Sequence, residues 1–338
     1  MHKYIHMQKF SSLALAALIF CGVAACTTPP QNQQRFSFAL IGDQQYNELE
    51  ERQFPDLLEA INREDLKFVV HLGDFKAGGN SPCTTALYNK RLGEFNLSRH
   101  PFIYTPGDND WVDCRRPSNG PFEPLERLEK LRDIFFASQH SLGRTPMPLT
   151  READAFASDP MLSRYRENTL WTEGENNGAA VVFVTLNIQG SNDNRGFNAI
   201  NDREQSERTR ANIAWLKFAM QRAASEEFMG LAIFMQANPG FEEDPGTVQK
   251  SAYREFLEAF EAAALEFRKP ILFAHGDSHI FRVDRPYRSP LDKRPLGNVT
   301  RVEGYGSPFV NWVRISVDGS NRGQPFIIES GNFVPKSD

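Results

Sequence analysis

Short apolar runs and longer amphipathic stretches alternate along most of the chain. The apolar runs predict strands at 36–41, 68–72, 102–104, 179–186, 231–235 and 271–274. Apolar residues at helical spacing predict helices at 52–61, 125–136, from near 202 to 223, and at 253–267. Strand and helix in turn indicate a mainly parallel central arrangement in an α/β fold.

Two regions depart from this alternation. Between 138 and 177 no period is maintained, so we expect an irregular excursion there. The C-terminal part is mostly β, with apolar runs at 300–302, 309–317 and 325–328. This β-rich tail suggests a second sheet that packs against the first.

The first residues carry a pattern of their own. A weakly basic start precedes an apolar stretch at 13–20 that is too short to span a bilayer comfortably. The sequence Val-Ala-Ala-Cys at 23–26 then resembles the bacterial lipobox, in which small residues precede a cysteine that is lipidated. We therefore expect a lipoprotein signal peptide at 1–25, lipidation of Cys26, a flexible tether at 26–35 and one large domain at 36–338.

The anchor also predicts a location. Thr27 follows the cysteine where an aspartate would favour the inner membrane, so we expect an outer-membrane lipoprotein that faces the periplasm. An ordinary cleaved signal and a tethering helix are the alternatives. Of the four cysteines, Cys83 and Cys114 remain after Cys21 and Cys26 are assigned to the signal and the lipid. An even pair in an oxidising compartment predicts a disulfide.

Charge narrows the class of partner. The formal net charge is −5, and the chain has no basic stripe of the kind that binds nucleic acid. This balance argues against a nuclease that acts on a large polyanion.

Acidic motifs follow the apolar runs. The Gly-Asp pairs are Gly42-Asp43, Gly73-Asp74, Gly107-Asp108 and Gly276-Asp277. A strand that ends in Gly-Asp delivers a carboxylate to the C-terminal edge of a sheet, where open α/β folds place their ligands. Several carboxylates side by side are tolerable only with cations among them, because like charges repel. With His279 nearby, the pattern predicts a metal centre.

These motifs resemble, in order, those of the calcineurin-like metallophosphoesterase superfamily. That family runs Asp-x-His, Gly-Asp, Gly-Asn-His-Glu/Asp, a lone His after a strand, and Gly-His-x-His. Asp43, Asp74 and His279 match outright, whereas Gln45, Asp108, Asn109, Gln236 and Asp277 stand in place of other residues. The resemblance implies a four-layer αββα sandwich with two metals at the sheet edge.

Carried over by position, the resemblance implies two ligand sets. The first metal would take Asp43, Gln45, Asp74 and His279, and the second would take Asp74, Asp108, Gln236 and Asp277. Asp74 would bridge them. Carboxylate and amide oxygens suit hard cations, so Mg²⁺, Mn²⁺ or Ca²⁺ is favoured over Zn²⁺ or Fe.

The implied chemistry is hydrolysis of a phosphorylated substrate by a hydroxide that bridges the two metals. Asn109 stands where the family has the histidine that protonates the leaving group, and Asp110 or His275 could substitute for it. Arg115 and Arg116 could clamp the phosphate, or they could be solvated surface residues. His71 is interpreted as buried structure.

Two other functions stay open from the sequence. One is a non-catalytic lipoprotein that binds a divalent cation, or a phosphorylated ligand, through the same cluster. The other is a nuclease or phosphodiesterase with a large substrate. The sequence does not distinguish monoester from diester, and it names no particular substrate.

Overall fold

The computed structural model describes Met1 and residues 35–243, 245–248, 250–286, 288 and 295–334. Apart from Met1 and Arg35, the predicted signal peptide and tether lie outside the described residues, and so does Cys26. Two β-sheets and the helices on their outer faces make up the described part of the chain.

The first sheet holds five strands in the order β12-β11-β1-β2-β3. Their bounds are β1 (Arg35–Ile41), β2 (Val69–His71), β3 (Phe102–Tyr104), β11 (Val313–Asp318) and β12 (Phe326–Ser330). The first three run parallel, while β11 pairs antiparallel with β1 and β12 antiparallel with β11. The carboxyl ends of β1, β2 and β3 therefore lie at one edge.

The second sheet holds seven strands in the order β4-β5-β6-β7-β8-β10-β9. Their bounds are β4 (Thr150–Arg151), β5 (Thr169–Glu173), β6 (Val181–Thr185), β7 (Gly230–Phe234), β8 (Ile271–His275), β9 (Arg282–Asp284) and β10 (Val299–Glu303). Neighbours from β6 to β10 in this order are parallel, and the outer pairs are antiparallel.

Helices cover the outer face of each sheet. Those on the first sheet are α1 (Glu48–Arg63), α2 (Thr85–Phe95) and α3 (Pro124–Phe135), and those on the second are α6 (Ala199–Ala223) and α8 (Arg254–Phe267). Shorter elements are α4 (Glu152–Ala155), α5 (Gly190–Asp193), α7 (Pro245–Val248) and the 3-10 turns Val112–Arg115, Pro117–Asn119, Leu162–Arg164 and Glu175–Asn177.

Alternating strand residues build the apolar core between the two sheets. Phe38 of the first sheet lies 5.6 Å from Phe183 and 5.9 Å from Phe234 of the second, between ring centroids. The intervening residues of the same strands face the helices instead. The layers are helix, sheet, sheet and helix, which confirms the predicted four-layer αββα sandwich.

The structure corrects two expectations about individual elements. The tail does not form a sheet of its own, because β10 joins the second sheet while β11 and β12 extend the first. The region 138–177 is less irregular than expected, since it contains β4, α4 and β5. Among the described residues, no helix combines the length and apolarity that a membrane crossing requires.

Candidate active site

The acidic motifs converge where the strands of both sheets end. Asp43 and Asp74 follow β1 and β2, Asp108 follows β3, and Asp277 follows β8 of the other sheet. Asp43, Asp74 and Asp277 have φ angles of 52°, 56° and 76°, in the left-handed region. Non-glycine residues adopt that conformation at a cost and cluster at functional sites, so these turns have the local strain typical of one.

Hydrogen bonds and close approaches show that the four carboxyl groups share one space. The backbone N–H of Asp277 donates to Asp43 Oδ1 at 3.2 Å. Gln236 Nε2 lies 3.2 Å from Asp74 Oδ2 and 3.3 Å from Asp277 Oδ1. A Cβ added to Gly190 would lie 2.7 Å from Asp277 Oδ1 and 2.8 Å from Asp108 Oδ1. A side chain at 190 would therefore displace the carboxyl groups of Asp277 and Asp108.

Burial and mutual repulsion favour the neutral forms of Asp43, Asp74 and Asp277. The pKa of Asp43 is raised well above its usual value by burial first and then by the charges of Asp277 and Asp108. Burial and the neighbouring acids, Asp108 first among them, likewise raise the pKa of Asp74. Burial and the charge of Asp108 raise the pKa of Asp277 to about 7. A cation among them would reverse this preference.

His279 has the hydrogen-bonding pattern of a metal ligand. Its Nδ1 lies 2.8 Å from the carbonyl oxygen of Ser307, which can only accept, so Nδ1 carries the proton. Nε2 then presents a lone pair 3.7 Å from Asp43 Oδ1. Burial lowers the pKa of His279 despite the hydrogen bond to Ser307, which favours the neutral ring that binds metals.

Hydrogen-bond donors stand between the carboxyl groups. The hydroxyl of Tyr46 lies 3.0 Å from Asp74 Oδ2 and 3.4 Å from His279 Nε2. Gln236 Oε1 accepts from the backbone N–H of Gly190 at 2.6 Å, which forces its NH₂ group towards Asp74 and Asp277. Within the described ranges, accordingly, no group of three or more His, Cys, Asp or Glu side chains is arranged as a ready metal cage.

The two glutamines predicted as ligands are therefore oriented differently from that assignment. Gln236 is in the cluster but presents nitrogen, not oxygen, to it. Gln45 directs its amide nitrogen to Glu94 Oε2 of α2, at 3.1 Å, and its Oε1 is buried without a partner. Their roles as ligands stay predictions that require these side chains to turn.

The two suggested proton donors serve other contacts. Asp110 accepts hydrogen bonds from the N–H groups of Asp74 and Phe75 at 2.9 and 3.0 Å and from the Tyr104 hydroxyl at 2.8 Å. It thus holds the turn that carries Asp74. His275 lies on the helix-facing side of β8, 5.4 Å from the ring of Phe241, and burial lowers its pKa to about 3. Neither geometry presents a proton to the carboxyl cluster.

Asn109 and the arginines border the site on one side. Asn109 donates from its backbone to Asp74 Oδ1 at 2.9 Å and from its amide to the Tyr46 hydroxyl at 2.9 Å. Arg116 is 45% exposed and lies near Asn109 across Gly78, held by Asp113 Oδ2 at 2.7 Å. Arg115 instead stacks on Phe197, with its guanidinium carbon 3.2 Å from the ring centroid. Arg116 is the better placed of the two for an anion.

Sequence reasoning missed three residues that the fold brings to the site. Tyr46 directly follows Gln45, so its position beside the first motif was a usable signal. Ser191 Oγ, in the left-handed turn α5, lies 2.7 Å from Asp108 Oδ2 and 3.0 Å from Asp113 Oδ1. Lys76 is buried and donates to the carbonyl oxygen of Asn109 at 2.8 Å, and burial lowers its pKa to about 8. For Ser191, the only signal in the sequence was the run of polar residues that follows β6.

The predicted disulfide is present in the structure. Cys83 and Cys114 are bonded, with Cα atoms 5.6 Å apart and a sequence separation of 31. The bond joins the loop after β2 to the 3-10 turn that follows Asp110. It therefore tethers the two segments that carry Lys76 and Asn109.

Comparison with known proteins identifies the family. A model of the calcineurin-like phosphoesterases matches residues 36–218, which is more than half of the chain. The chain therefore belongs to the calcineurin-like phosphoesterase family, whose members are metal-dependent phosphoesterases. No curated protein sequence matches it significantly.

Solved structures agree with that fold. A dimetal phosphatase from Danio rerio matches with a TM-score of 0.50 and 15% identity, over 83% of this chain and 92% of that one. The structure of PhoD matches with a TM-score of 0.51 and 14% identity, over 85% of this chain and 64% of that one. At identities this low, the structural similarity establishes a common fold and nothing beyond it.

The residues present fit the divalent cations that the family implies, with the glutamines excepted. Asp43 Oδ2 is buried and has no hydrogen-bond partner, and it faces the other acids. His279 presents a free lone pair to the same space. One imidazole among several carboxylates is a donor set for a hard cation.

Proposed function

We propose that this protein hydrolyses a phosphate ester at the carboxyl cluster with the help of two divalent cations. The observation that carries the proposal is the convergence of Asp43, Asp74, Asp108 and Asp277 with His279 where the strands of both sheets end. Buried acids without counter-charges are costly to maintain, and such sites are where function is found.

The chain divides its ligands between two positions. Asp43, Asp74 and His279 would hold one cation, and Asp74, Asp108 and Asp277 the other. When bound, divalent cations supply a water of lowered pKa and positive charge for the phosphoryl oxygens. The preponderance of carboxylates supports Mg²⁺, Mn²⁺ or Ca²⁺.

The side chains of the chain itself position the substrate. Arg116 can donate to a phosphoryl oxygen from the open side of the site, because nearly half of its surface is exposed. The Tyr46 hydroxyl and the Asn109 amide are donors within hydrogen-bond distance of each other, at 2.9 Å. We propose that they donate to the leaving oxygen, since Asp110 and His275 are engaged elsewhere. Gln236 orients Asp74 and Asp277.

The test combines metal content with hydrolysis. We expect Asp74→Asn to lose bound cations and at least about a thousandfold of its activity, because Asp74 belongs to both positions. Asn109→Ala should lose much less. The exposed Asp65 provides the matched acid-to-amide control, and Asp65→Asn should behave as wild type. Unchanged metal content and activity in Asp74→Asn would refute the two-cation assignment.

A non-catalytic cation-binding or phospho-ligand-binding protein is the second candidate. The donors of Tyr46 and Gln236 between the carboxyl groups favour it, because they satisfy the acids without metal. Wild-type protein that binds Mn²⁺ but hydrolyses no phosphoester with Mg²⁺, Mn²⁺, Ca²⁺, Zn²⁺ or Fe²⁺ would establish it over the enzyme.

We also propose that the domain is held at the outer membrane by a lipid on Cys26 and faces the periplasm. The apolar stretch at 13–20 and the small residues before Cys26 support this, as does the disulfide between Cys83 and Cys114. Cys26→Ser should leave an unprocessed or soluble species, which membrane fractionation detects. Unchanged partition of the variant into the outer membrane would exclude the lipid anchor.

A further inference from the structure

Three large apolar side chains are exposed at one side of the site. Leu49 in the first turn of α1 is 46% exposed, Ile280 beside His279 is 57% exposed, and Phe309 in the segment before β11 is 64% exposed. Few large apolar residues of the described chain are exposed to this degree. We call these three residues the apolar rim.

Direct hydrogen bonds bring the three segments of the rim together. Ser307 Oγ donates to Glu50 Oε1 at 2.6 Å, next to Leu49. The carbonyl oxygen of the same Ser307 accepts from His279 Nδ1 at 2.8 Å, next to Ile280. Phe309 is two residues further along, and its N–H donates to the carbonyl of Gly306 at 2.9 Å. All three apolar residues therefore lie within two positions of one junction.

This junction is part of the wall of the candidate active site. The backbone N–H of Ser307 donates to the carbonyl of Asp43 at 2.7 Å. A Cβ on Gly306 would lie 2.7 Å from Asp43 Cβ and 2.7 Å from the ring of His279. Glu50 in turn accepts from the N–H of Tyr46 at 2.8 Å. The segments that carry the apolar rim therefore adjoin the carboxyl cluster.

The other side of the site is polar. Asn109 and the exposed Arg116 approach each other across Gly78, and Ser191 contacts Asp108 and Asp113. A ligand that spans the site would have its anionic group near Arg116 and its remaining half against Leu49, Ile280 and Phe309. Such a ligand has to be an amphiphile with one charged end.

We propose that the substrate is a phosphate ester whose alcohol half carries an alkyl or aromatic group, and that the apolar rim binds this group. The proposal rests on the proposed function, since the same site would do the hydrolysis. Selection comes from apolar area removed from water, which favours a long alkyl chain over a short one.

Ethyl phosphate and hexyl phosphate provide the test, because their leaving groups have the same basicity and differ only in apolar length. With Mn²⁺ bound, wild-type protein should show a kcat/KM for hexyl phosphate above that for ethyl phosphate by about tenfold. Replacement of the rim by serine, as Leu49→Ser, Ile280→Ser and Phe309→Ser together, should bring this ratio close to one.

Leu97 offers the matched control, since it is 48% exposed at the end of α2 and lies at the opposite edge of the first sheet, before β3. Leu97→Ser should retain the wild-type preference. Calorimetric binding of hexylphosphonate and ethylphosphonate supplies a readout without turnover, and wild type should bind the longer phosphonate about tenfold more tightly.

The outcomes separate the two claims. Equal kcat/KM for both esters in wild type, or a preference that survives the triple substitution, refutes the binding of the alkyl group by the rim. Either result leaves the phosphoesterase activity itself standing. Tight, rim-dependent binding of hexylphosphonate without hydrolysis of either ester supports the rim and refutes the enzyme.

Discussion

Two buried polar clusters in this protein treat charge in opposite ways. The carboxyl cluster gathers Asp43, Asp74, Asp108 and Asp277 around donors that are neutral. In the second cluster, between α3 and β5, the fully buried Glu167 accepts from Arg132 Nε at 2.8 Å and from Asn187 Nδ2 at 2.8 Å. We call this the paired cluster.

The pKa values of the acids differ accordingly. Burial alone would raise the pKa of Glu167, but the charge and hydrogen bonds of Arg132 outweigh it and lower that pKa. Burial raises the pKa values of Asp43 and Asp74, and there the neighbouring charges add to it because they are negative. Burial is common to both clusters, and the sign of the neighbour decides the result.

Only one of the two clusters needs a ligand. The paired cluster is complete in the chain itself, and it holds α3 to the strand region of the second sheet. The carboxyl cluster has a buried oxygen, Asp43 Oδ2, without a partner. An acid without an internal counter-charge is stabilised by a cation from solution, so cation binding should stabilise the fold by mass action.

The largest expected effect comes from breaking the paired cluster. Glu167→Gln leaves the buried Arg132 without its main counter-charge, and we expect a loss of about 3–5 kcal/mol in the free energy of unfolding. Urea denaturation measures it. Glu129, an exposed partner of the same arginine, is the control. Glu129→Gln should lose less than about 1 kcal/mol, and equal losses in the two variants would contradict the comparison.

The same change of acid to amide should have the opposite sign in the carboxyl cluster. In the presence of a chelator, Asp43→Asn removes one repelling acid and should raise the free energy of unfolding by about 1 kcal/mol. The variant should also lose most of the stabilisation that Mn²⁺ gives to wild type. Thermal denaturation with chelator and with Mn²⁺ measures both. A chelated variant that is clearly less stable than wild type would show that the acids do not repel one another.

The smallest effect is on the slope of the free energy of unfolding against pH. Asp277, whose pKa is raised to about 7, and Glu152, raised by burial to about 8, bind protons more tightly when folded than their usual values allow. These two groups therefore hold more protons in the folded chain than in the unfolded chain between about pH 4 and 8, so their contribution to stability falls as pH rises through that range. Glu152→Gln should flatten this slope in chelated protein. A slope that is unchanged would place the proton uptake elsewhere.

Much of the fold was predictable because its signals are local. The strand at 102–104 and the helix at 125–136 follow from apolar periodicity, and the structure has them at Phe102–Tyr104 and Pro124–Phe135. The helix α2 was missed because only Tyr88, Arg91 and Phe95 of it are buried, and one of these is charged. A helix with so narrow an apolar face has little periodic signal.

The order of residues along the chain was enough to place the Gly-Asp motifs, because a Gly-Asp after an apolar run has to emerge at the edge of a sheet. The pairing of Cys83 with Cys114 followed from the cysteine count, since these two remained after Cys21 and Cys26 were assigned to the signal and the lipid. The alternation of strands and helices likewise indicated the α/β class, and the family resemblance implied the four layers of the sandwich.

How those residues face one another depends on the three-dimensional packing of the chain. Gln236 presents nitrogen to the acids because the N–H of Gly190, from another strand end, takes its oxygen. The Tyr46 hydroxyl contacts Asp74 in the cluster, whereas the Gln45 amide contacts Glu94 outside it. The turn that orients these two side chains has no periodic signal in the sequence. The tail divides between two sheets because strand partners are chosen across space. These outcomes depend on contacts between residues far apart in the sequence, whereas the pattern along the chain reports only on neighbours.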